Sequence, residues 1–382
     1  MGDHRNRDVL IVGGGVIGLS VAYSLSRRGI SSHVLDRREL GREASWAGAG
    51  LLPPQNDRRT THPAIELRSW SARLHADWAA ALKEETGIDN GYRRCGGVDV
   101  AMTEQEEKEL LTSAGRWRVE GITYERMHPG DFSRVEPALN PNLRVAYFLP
   151  DRAQIRNPWH LRALSTALIK RGDQLSPWCG VEGFEMDGGR IKALRTSKGL
   201  IPCGAVVVAA GAWSGGLLQK IGVTAPTPPL KGQIVLLRGD RMVLRRIVEH
   251  GKNYIVPRED GRILLGATEE HAGFDTRTTG SGVQGLLKMG MDLCPSLARL
   301  EVETAWAGLR PGSIDTRPYI GLAPRFENLY LATGHQRAGL QLSPATGEIV
   351  ADLIEGKIPP IDISPFRPDR EPDLTAADSI RS

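Results

Sequence analysis

The sequence predicts an α/β (α+β) chain in which a parallel-sheet domain is interleaved with an antiparallel-sheet domain. Three observations carry that prediction. A strand, a glycine turn, a helix and a second strand open the chain. Buried-strand runs ending in glycine recur near residues 205 and 329. Between them lies a stretch of short strands separated by turn signals. The length of 382 residues fits two domains at about 100–200 residues each. A 40% hydrophobic, 25% charged composition excludes a disordered chain, a fibrous repeat and a membrane bundle.

The elements follow in order. Asp8-Val-Leu-Ile-Val12 is an apolar run of the kind buried on both faces, broken by Gly13-Gly-Gly15. Val16 to Arg28 reads as a helix with Ile17, Val21 and Leu25 on one face and Gly29 just past its end. Ser32-His-Val-Leu-Asp36 is the second strand. Pro63 to Thr86 and Glu104 to Val119 read as helices, with a strand at Asp99 to Met102. Asn157 and Pro158 read as N-cap and first residue of a helix that turns Leu161, Leu164 and Leu168 inward. Ala205 to Gly211 is another buried strand. Ile234-Val-Leu-Leu, Tyr254-Ile-Val-Pro and Ile263-Leu-Leu-Gly are the short strands of the antiparallel layer. Leu329 to Gly334 returns to the buried type, and Ser343-Pro344 is expected to open a last helix that buries Ile349, Val350 and Leu353. The predicted partition assigns 1–90, 151–220 and 306–365 to the parallel-sheet domain and 91–150 and 221–305 to the antiparallel one. Residues 366–382 are expected to form a loose, charged tail.

Glycine is the compositional outlier, 44 of 382 residues against a usual share of about 7%. No Gly-X-Y period accompanies it, so the glycines mark tight turns and close backbone approaches. A net charge of +4, without a basic run interleaved with aromatics, argues against a nucleic-acid partner. Cys95, Cys179, Cys203 and Cys294 lack metal-ligand spacing, so free thiols in a reducing compartment are expected and no metal site. The polar N-terminus is unlike a signal peptide, and glycines interrupt the apolar stretch Val9 to Leu25. A cytoplasmic homo-oligomer without a membrane span is the expectation.

Gly13-x-Gly15-x-x-Gly18 sits between a strand and a helix, and Asp36 ends the next strand about 20 residues on, the spacing of a Rossmann-like dinucleotide site. The first glycine makes the turn, the second lets backbone approach a pyrophosphate, and the third lets helix pack on strand. The helix N-terminus offers free N–H groups to phosphate, and Asp36 offers acceptors to ribose hydroxyls. The motif alone leaves FAD and NAD open. The small-residue stretch Gly41 to Leu52 then follows the second strand, where NAD enzymes run into a helix. Further glycine segments at Val208 to Ser214 and Ala332 to Leu342 suit a long, extended cofactor, which favours FAD.

Through Gly13 to Gly18, Ser45 to Leu52, Ala209 to Ser214, Pro229-Leu-Lys-Gly-Gln233, Tyr254 to Arg258, Gly266-Ala-Thr268, Trp306 to Gly312, Pro318 to Gly321 and Gly334 to Gly347, the chain resembles the FAD-dependent amine oxidases of the D-amino acid oxidase family, the glycine oxidases above all. The pieces are collinear over nearly the full length. The resemblance implies FAD contacts from Gly13, Gly15, Val16, Ile17 and Gly18, from Asp36 and Arg37, from Ser45, Ala49, Gly50 and Leu51, and from Val181. It implies further contacts from Ala210, Gly211 and Trp213, and from Gly334, His335, Arg337, Ala338, Gly339, Leu340 and Gln341. No cysteine lies in Ser313 to Tyr319, where relatives with covalent flavin carry one, so non-covalent FAD is expected.

For the substrate, the resemblance implies a carboxylate held by Arg310 and Tyr254, with Arg337 closing the pocket, Glu269 lining it and Lys252 near its entrance. Arginine suits a carboxylate because its planar fork donates two parallel hydrogen bonds. Arg310 is expected in a loop restricted by Pro311 and Gly312. The implied activity is oxidative deamination of glycine, sarcosine or small D-amino acids, by hydride transfer to flavin N5 without a general base. Dioxygen is reduced to hydrogen peroxide, and the imine feeds a thiazole-synthesis partner in thiamine biosynthesis. The start of the last helix is expected to stabilise charge on the reduced ring. The alternatives are a D-amino acid or sarcosine dehydrogenase with another electron acceptor, and a non-catalytic FAD-binding redox subunit.

Overall fold

Every residue of the strand Val9–Val12 is buried, as expected of a strand covered on both faces. In the computed structural model, which describes residues 9–54 and 62–373, this strand is the centre of a six-stranded sheet. Ser32–Leu35 and Ala205–Val208 flank it in parallel. Gln174–Ser176 and Leu329–Thr333 extend the two sides, and Tyr319–Leu322 closes one edge in antiparallel sense. Asp8 lies outside the described residues. Helix Val16–Arg27 starts directly after the glycine turn, and a Cβ on Gly18 would collide with the carbonyl oxygen of Gly13. That helix packs against Gly339–Glu355, Asn157–Arg171 and the long helix Pro63–Thr86, around a core that includes Trp78, Leu82, Leu161 and Leu168.

The second layer is an eight-stranded sheet. Its order runs Glu301–Pro311, Pro229–Arg238, Arg262–Gly266, Asn253–Pro257, Ile247–His250, Gly97–Ala101, Val145–Leu149 and Glu125–Met127. The expected antiparallel texture holds except at one junction: Ile247–His250 and Gly97–Ala101 pair in parallel. That junction fuses sequence around 97–149 with sequence around 229–311 into one sheet. Strand Glu301–Pro311 runs across the partition expected at residue 306.

Several local expectations are corrected. Asn157 does not cap its helix: Arg156 is the cap residue, and the Asn157 amide instead donates to the Ser45 carbonyl oxygen at 2.7 Å. The last helix begins at Gly339, so Pro344 lies inside it. Residues 366–373 are not loose. Phe366 is fully buried, and Arg370 donates to the buried Asp315 carboxylate at 2.7 Å. The remaining tail, 374–382, lies outside the described residues. A three-stranded antiparallel sheet, Val181–Asp187, Arg190–Thr196 and Gly199–Pro202, was not foreseen. Its strands are rich in charged residues, and only Phe184, Ile191 and Leu194 of this sheet sit fully in the core.

Candidate active site

The glycine turn builds the first wall. Gly13 has φ +111°, and any side chain there would strike the backbone at Ala209. Gly15 is the N-cap of the first helix and has no side chain to cap it. Ser45 Oγ takes the Val16 N–H at 2.8 Å. Asp36 accepts from the N–H groups of Gly14 at 2.7 Å and Arg38 at 2.9 Å. Its carboxylate thus fixes the turn as well as facing the cavity, and burial raises its pKa. The Arg37 guanidinium stacks on the Trp213 ring, 3.6 Å from its centroid, which joins the second strand to the Ala209–Ser214 segment.

The small-residue loop after Asp36 is held from three sides. The Asn157 amide donates to the Ser45 carbonyl, and the Trp306 indole donates to Ala47 O at 3.0 Å. Arg258 donates to Ala49 O at 2.7 Å and to Gln154 Oε1 at 2.6 Å. Burial pulls the Arg258 pKa down to about 10, with the neighbouring Arg156 and Arg93 charges adding to the effect. Sequence reading missed Arg258, Trp306 and Asn157 as loop clamps, because nothing in their spacing reports which backbone they reach.

Pro344 inside the last helix has no N–H to give the carbonyl one turn upstream. The deficit at Leu340 O is met by His75 Nε2 at 3.1 Å and Ser343 Oγ at 2.9 Å. His75 also reaches Gln341 O at 3.2 Å, while the Ala345 N–H turns to Ser71 Oγ at 3.3 Å. His75 and Ser71 come from Pro63–Thr86, so that helix mends the first turn of Gly339–Glu355. His75 is fully buried and burial lowers its pKa to about 4. It is a neutral imidazole whose Nε2 carries the proton that two carbonyls require.

Arg310 does not sit in a loop. It is next to last in strand Glu301–Pro311, paired with Leu230. Its guanidinium lies over Gly232, where a Cβ would overlap it, and donates to Thr268 O at 3.1 Å. The Tyr254 hydroxyl lies near enough for the two groups to shift each other's ionisation. Tyr254 is buried on Asn253–Pro257, its ring over Gly266. Burial raises the phenol pKa, against the lowering effect of Arg310 and Arg337, so the hydroxyl stays a donor. Arg337 donates to Lys252 O at 2.7 Å and lies 3.5 Å from a Glu269 oxygen, whose partner oxygen is 3.6 Å from Lys252 Nζ. Glu269 therefore pairs with two cations at the rim.

One cavity of about 1340 Å³ brings these groups together, larger than the usual ~300–1,000 Å³ of a small-ligand site. It is lined by Gly13, Gly15, Val16 and Ile17; by Asp36, Arg37, Ser45, Ala49, Gly50 and Leu51; by Val181, Ala210, Gly211 and Trp213. His335, Arg337, Ala338, Gly339, Leu340 and Gln341 complete that wall, and Tyr254 and Arg310 face it. Gly18, Gly334 and Glu269 are not among the lining residues. Gly18 serves helix packing, and Gly334 makes room for the Tyr319 ring. The residues present fit an extended dinucleotide. The N-cap residues of both helix starts at the cavity supply no side-chain cap, and the cavity-lining His335 and Asn157 each keep one buried polar atom without a partner, Nδ1 and Oδ1. Among the described residues no cluster of His, Cys, Asp or Glu could hold a metal ion, and no helix is long and apolar enough to cross a membrane.

A glycine turn and a helix start that share one cavity with Arg310 and Tyr254 suit a nucleotide-dependent oxidoreductase. Residues 8–353 match the FAD dependent oxidoreductase family, and the chain belongs to it, with FAD as its cofactor. It is 35% identical to the glycine oxidase of Pseudomonas putida over 365 residues, 95% of this chain and 99% of that protein. It is 34% identical over 354 residues to the bifunctional protein ThiO/ThiG of Nostoc sp., covering 91% of this chain and 52% of the longer protein. Among solved structures, glycine oxidase from Geobacillus kaustophilus superposes with a TM-score of 0.91 at 34% identity, covering 96% of this chain and 99% of that one.

Proposed function

We propose that this chain is an FAD-dependent amino acid oxidase that deaminates glycine and other small amines, among them sarcosine and small D-amino acids. The observation that carries the reading is the Arg310–Tyr254 pair on the same cavity as the dinucleotide turn. The resemblance to glycine oxidases at 35% identity over 95% of the chain supports it.

The residues divide the work. Arg310, fixed by Thr268 O and backed by Gly232, presents its fork to the substrate carboxylate, and the Tyr254 hydroxyl adds a further donor. Arg337, tied to Lys252 and Glu269, closes the rim and limits water. The start of Gly339–Glu355 brings positive potential to the cavity, where negative charge develops during amine oxidation. FAD, when bound, supplies the two-electron oxidation of the amine carbon, and dioxygen leaves as hydrogen peroxide. The amine enters neutral, so orientation and electrostatics carry the rate. The Gly13–Gly18 turn, Asp36 and the 44–52 loop would hold the cofactor without a covalent bond. The imine product either hydrolyses, giving glyoxylate and ammonia from glycine, or passes to a thiazole-forming partner of thiamine biosynthesis. The relative that carries both names in one chain, ThiO/ThiG, supports the second route.

The test is anaerobic mixing of the yellow protein with glycine, sarcosine and D-alanine, followed by air and a peroxide assay. Bleaching by amine with peroxide on aeration is expected. Bleaching without peroxide would indicate a dehydrogenase, and no bleaching with any amine would leave a non-catalytic flavin subunit.

A further inference from the structure

Lys231 is 1% exposed, and a buried ammonium is costly unless its partner gives a reason for it. Alternation along strand Pro229–Arg238 puts Gly232 and Ile234 toward the cavity and Lys231 and Gln233 on the other face. There Lys231 Nζ meets Glu270 Oε2 at 3.2 Å. The other Glu270 oxygen accepts from Thr268 Oγ1 at 2.5 Å and from Gln233 Nε2 at 2.6 Å. Thr268 Oγ1 in turn accepts the Gln233 backbone N–H at 2.9 Å. The backbones of Lys231 and Glu270 exchange two further hydrogen bonds, each 3.0 Å. Partial burial opposes ionisation of Glu270, yet hydrogen bonds from Thr268, Gln233 and Lys231 hold its carboxyl below the ordinary value.

Thr268 therefore faces two ways. Its hydroxyl is gripped behind the sheet by Glu270, and its carbonyl takes the Arg310 N–H in front. We propose that Glu270, fixed by the buried Lys231, is a positioning residue that locks Thr268 so that Arg310 is aimed at the substrate carboxylate. The inference rests on the carboxylate-clamp reading above. It accounts for a buried lysine that the chemistry itself does not use. It also makes 268–270 the common support of both arginines, because Glu269 faces the rim and pairs with Arg337.

The FAD-loaded protein tests this with Lys231→Met, Glu270→Gln, the double variant and Thr268→Val. The readouts are KM and kcat for glycine, kcat/KM for ethylamine, which has no carboxylate, and the Kd of acetate from its perturbation of the flavin spectrum. Misaiming the clamp is expected to raise the glycine KM and the acetate Kd by about ten- to a hundredfold, with kcat for glycine and kcat/KM for ethylamine close to the parent. The double variant should recover part of the loss, since neither charge is left alone. An acetate Kd within about twofold of the parent, or a parallel loss with ethylamine, overturns the proposal. If Lys231→Met fails to fold, Thr268→Val decides, because it cuts the link and leaves the ion pair. Arg310→Lys runs alongside. If it leaves acetate binding unchanged, the clamp reading itself falls; if it alone weakens binding, only the positioning role falls.

Discussion

Replacing Arg310 by lysine keeps the positive charge and removes the fork. The arginine spends one N–H on Thr268 O at 3.1 Å and presents the rest of its guanidinium to the cavity. A lysine ammonium can keep one hydrogen bond to a carboxylate but not a parallel pair, and it loses the Thr268 tether that aims it. One charge-assisted hydrogen bond is worth about 1.5–3 kcal/mol. At about 1.4 kcal/mol per tenfold, KM for glycine should therefore rise roughly ten- to a hundredfold. The carboxylate does not react, so its contacts are alike in ground and transition states and kcat should change little. Initial rates of peroxide release against glycine concentration, with matched flavin content, give both constants. A KM within about twofold of the parent would remove Arg310 from the carboxylate role.

Three further outcomes follow from the same geometry. Gly232→Ala puts a methyl where the Arg310 guanidinium lies, so acetate should bind at least tenfold or so more weakly while the flavin stays bound; spectral titration reads both. Gly13→Ala forces a side chain at φ +111° against Ala209, strain of about 1–3 kcal/mol, and the purified variant should show a lower flavin-to-protein absorbance ratio and a lower Tm; a full complement of flavin would contradict the turn's role. The third concerns acid. Burial lowers the pKa of His75 to about 4 and of His160 and His335 to about 3, from 6.5. The unfolded chain binds their protons below about pH 6.5 and the folded chain does not, so stability is full above that value and falls as pH drops through it. Each histidine costs roughly 2 kcal/mol at pH 5. Urea unfolding at pH 7.5 and 5 should show the loss, and His75→Gln should reduce it by about a third; an unchanged loss would contradict the account.

Where the sequence was read correctly, the signal was local. Val9–Val12, Ser32–Leu35 and Ala205–Val208 are short apolar runs bounded by glycine or acid, and Pro63–Thr86 begins at a proline and ends before Gly87. The segments that line the cavity were readable because backbone approach demands glycine at fixed offsets. What escaped was long-range. Arg310 looked like a loop residue because Pro311 and Gly312 follow it, yet pairing with Leu230 carries the strand through to Pro311. Ser343-Pro344 has the signature of a helix start, but His75 and Ser71, far away in sequence, repair the deficit and let the helix begin at Gly339. Nothing in the spacing of Lys231 and Glu270 reports their contact, which the bridge between their backbones makes while the lysine is buried. Phe366 and Arg370 gave the tail an anchor that a charged composition conceals.

The most direct measurement is a crystal structure of the FAD-loaded protein with acetate as a substrate-carboxylate mimic. The account expects the pyrophosphate at the Gly15–Ile17 backbone, the flavin ring beside the start of Gly339–Glu355, and the acetate bridging Arg310 and the Tyr254 hydroxyl. A carboxylate bound elsewhere, with Arg310 turned away from it, would contradict the central claim.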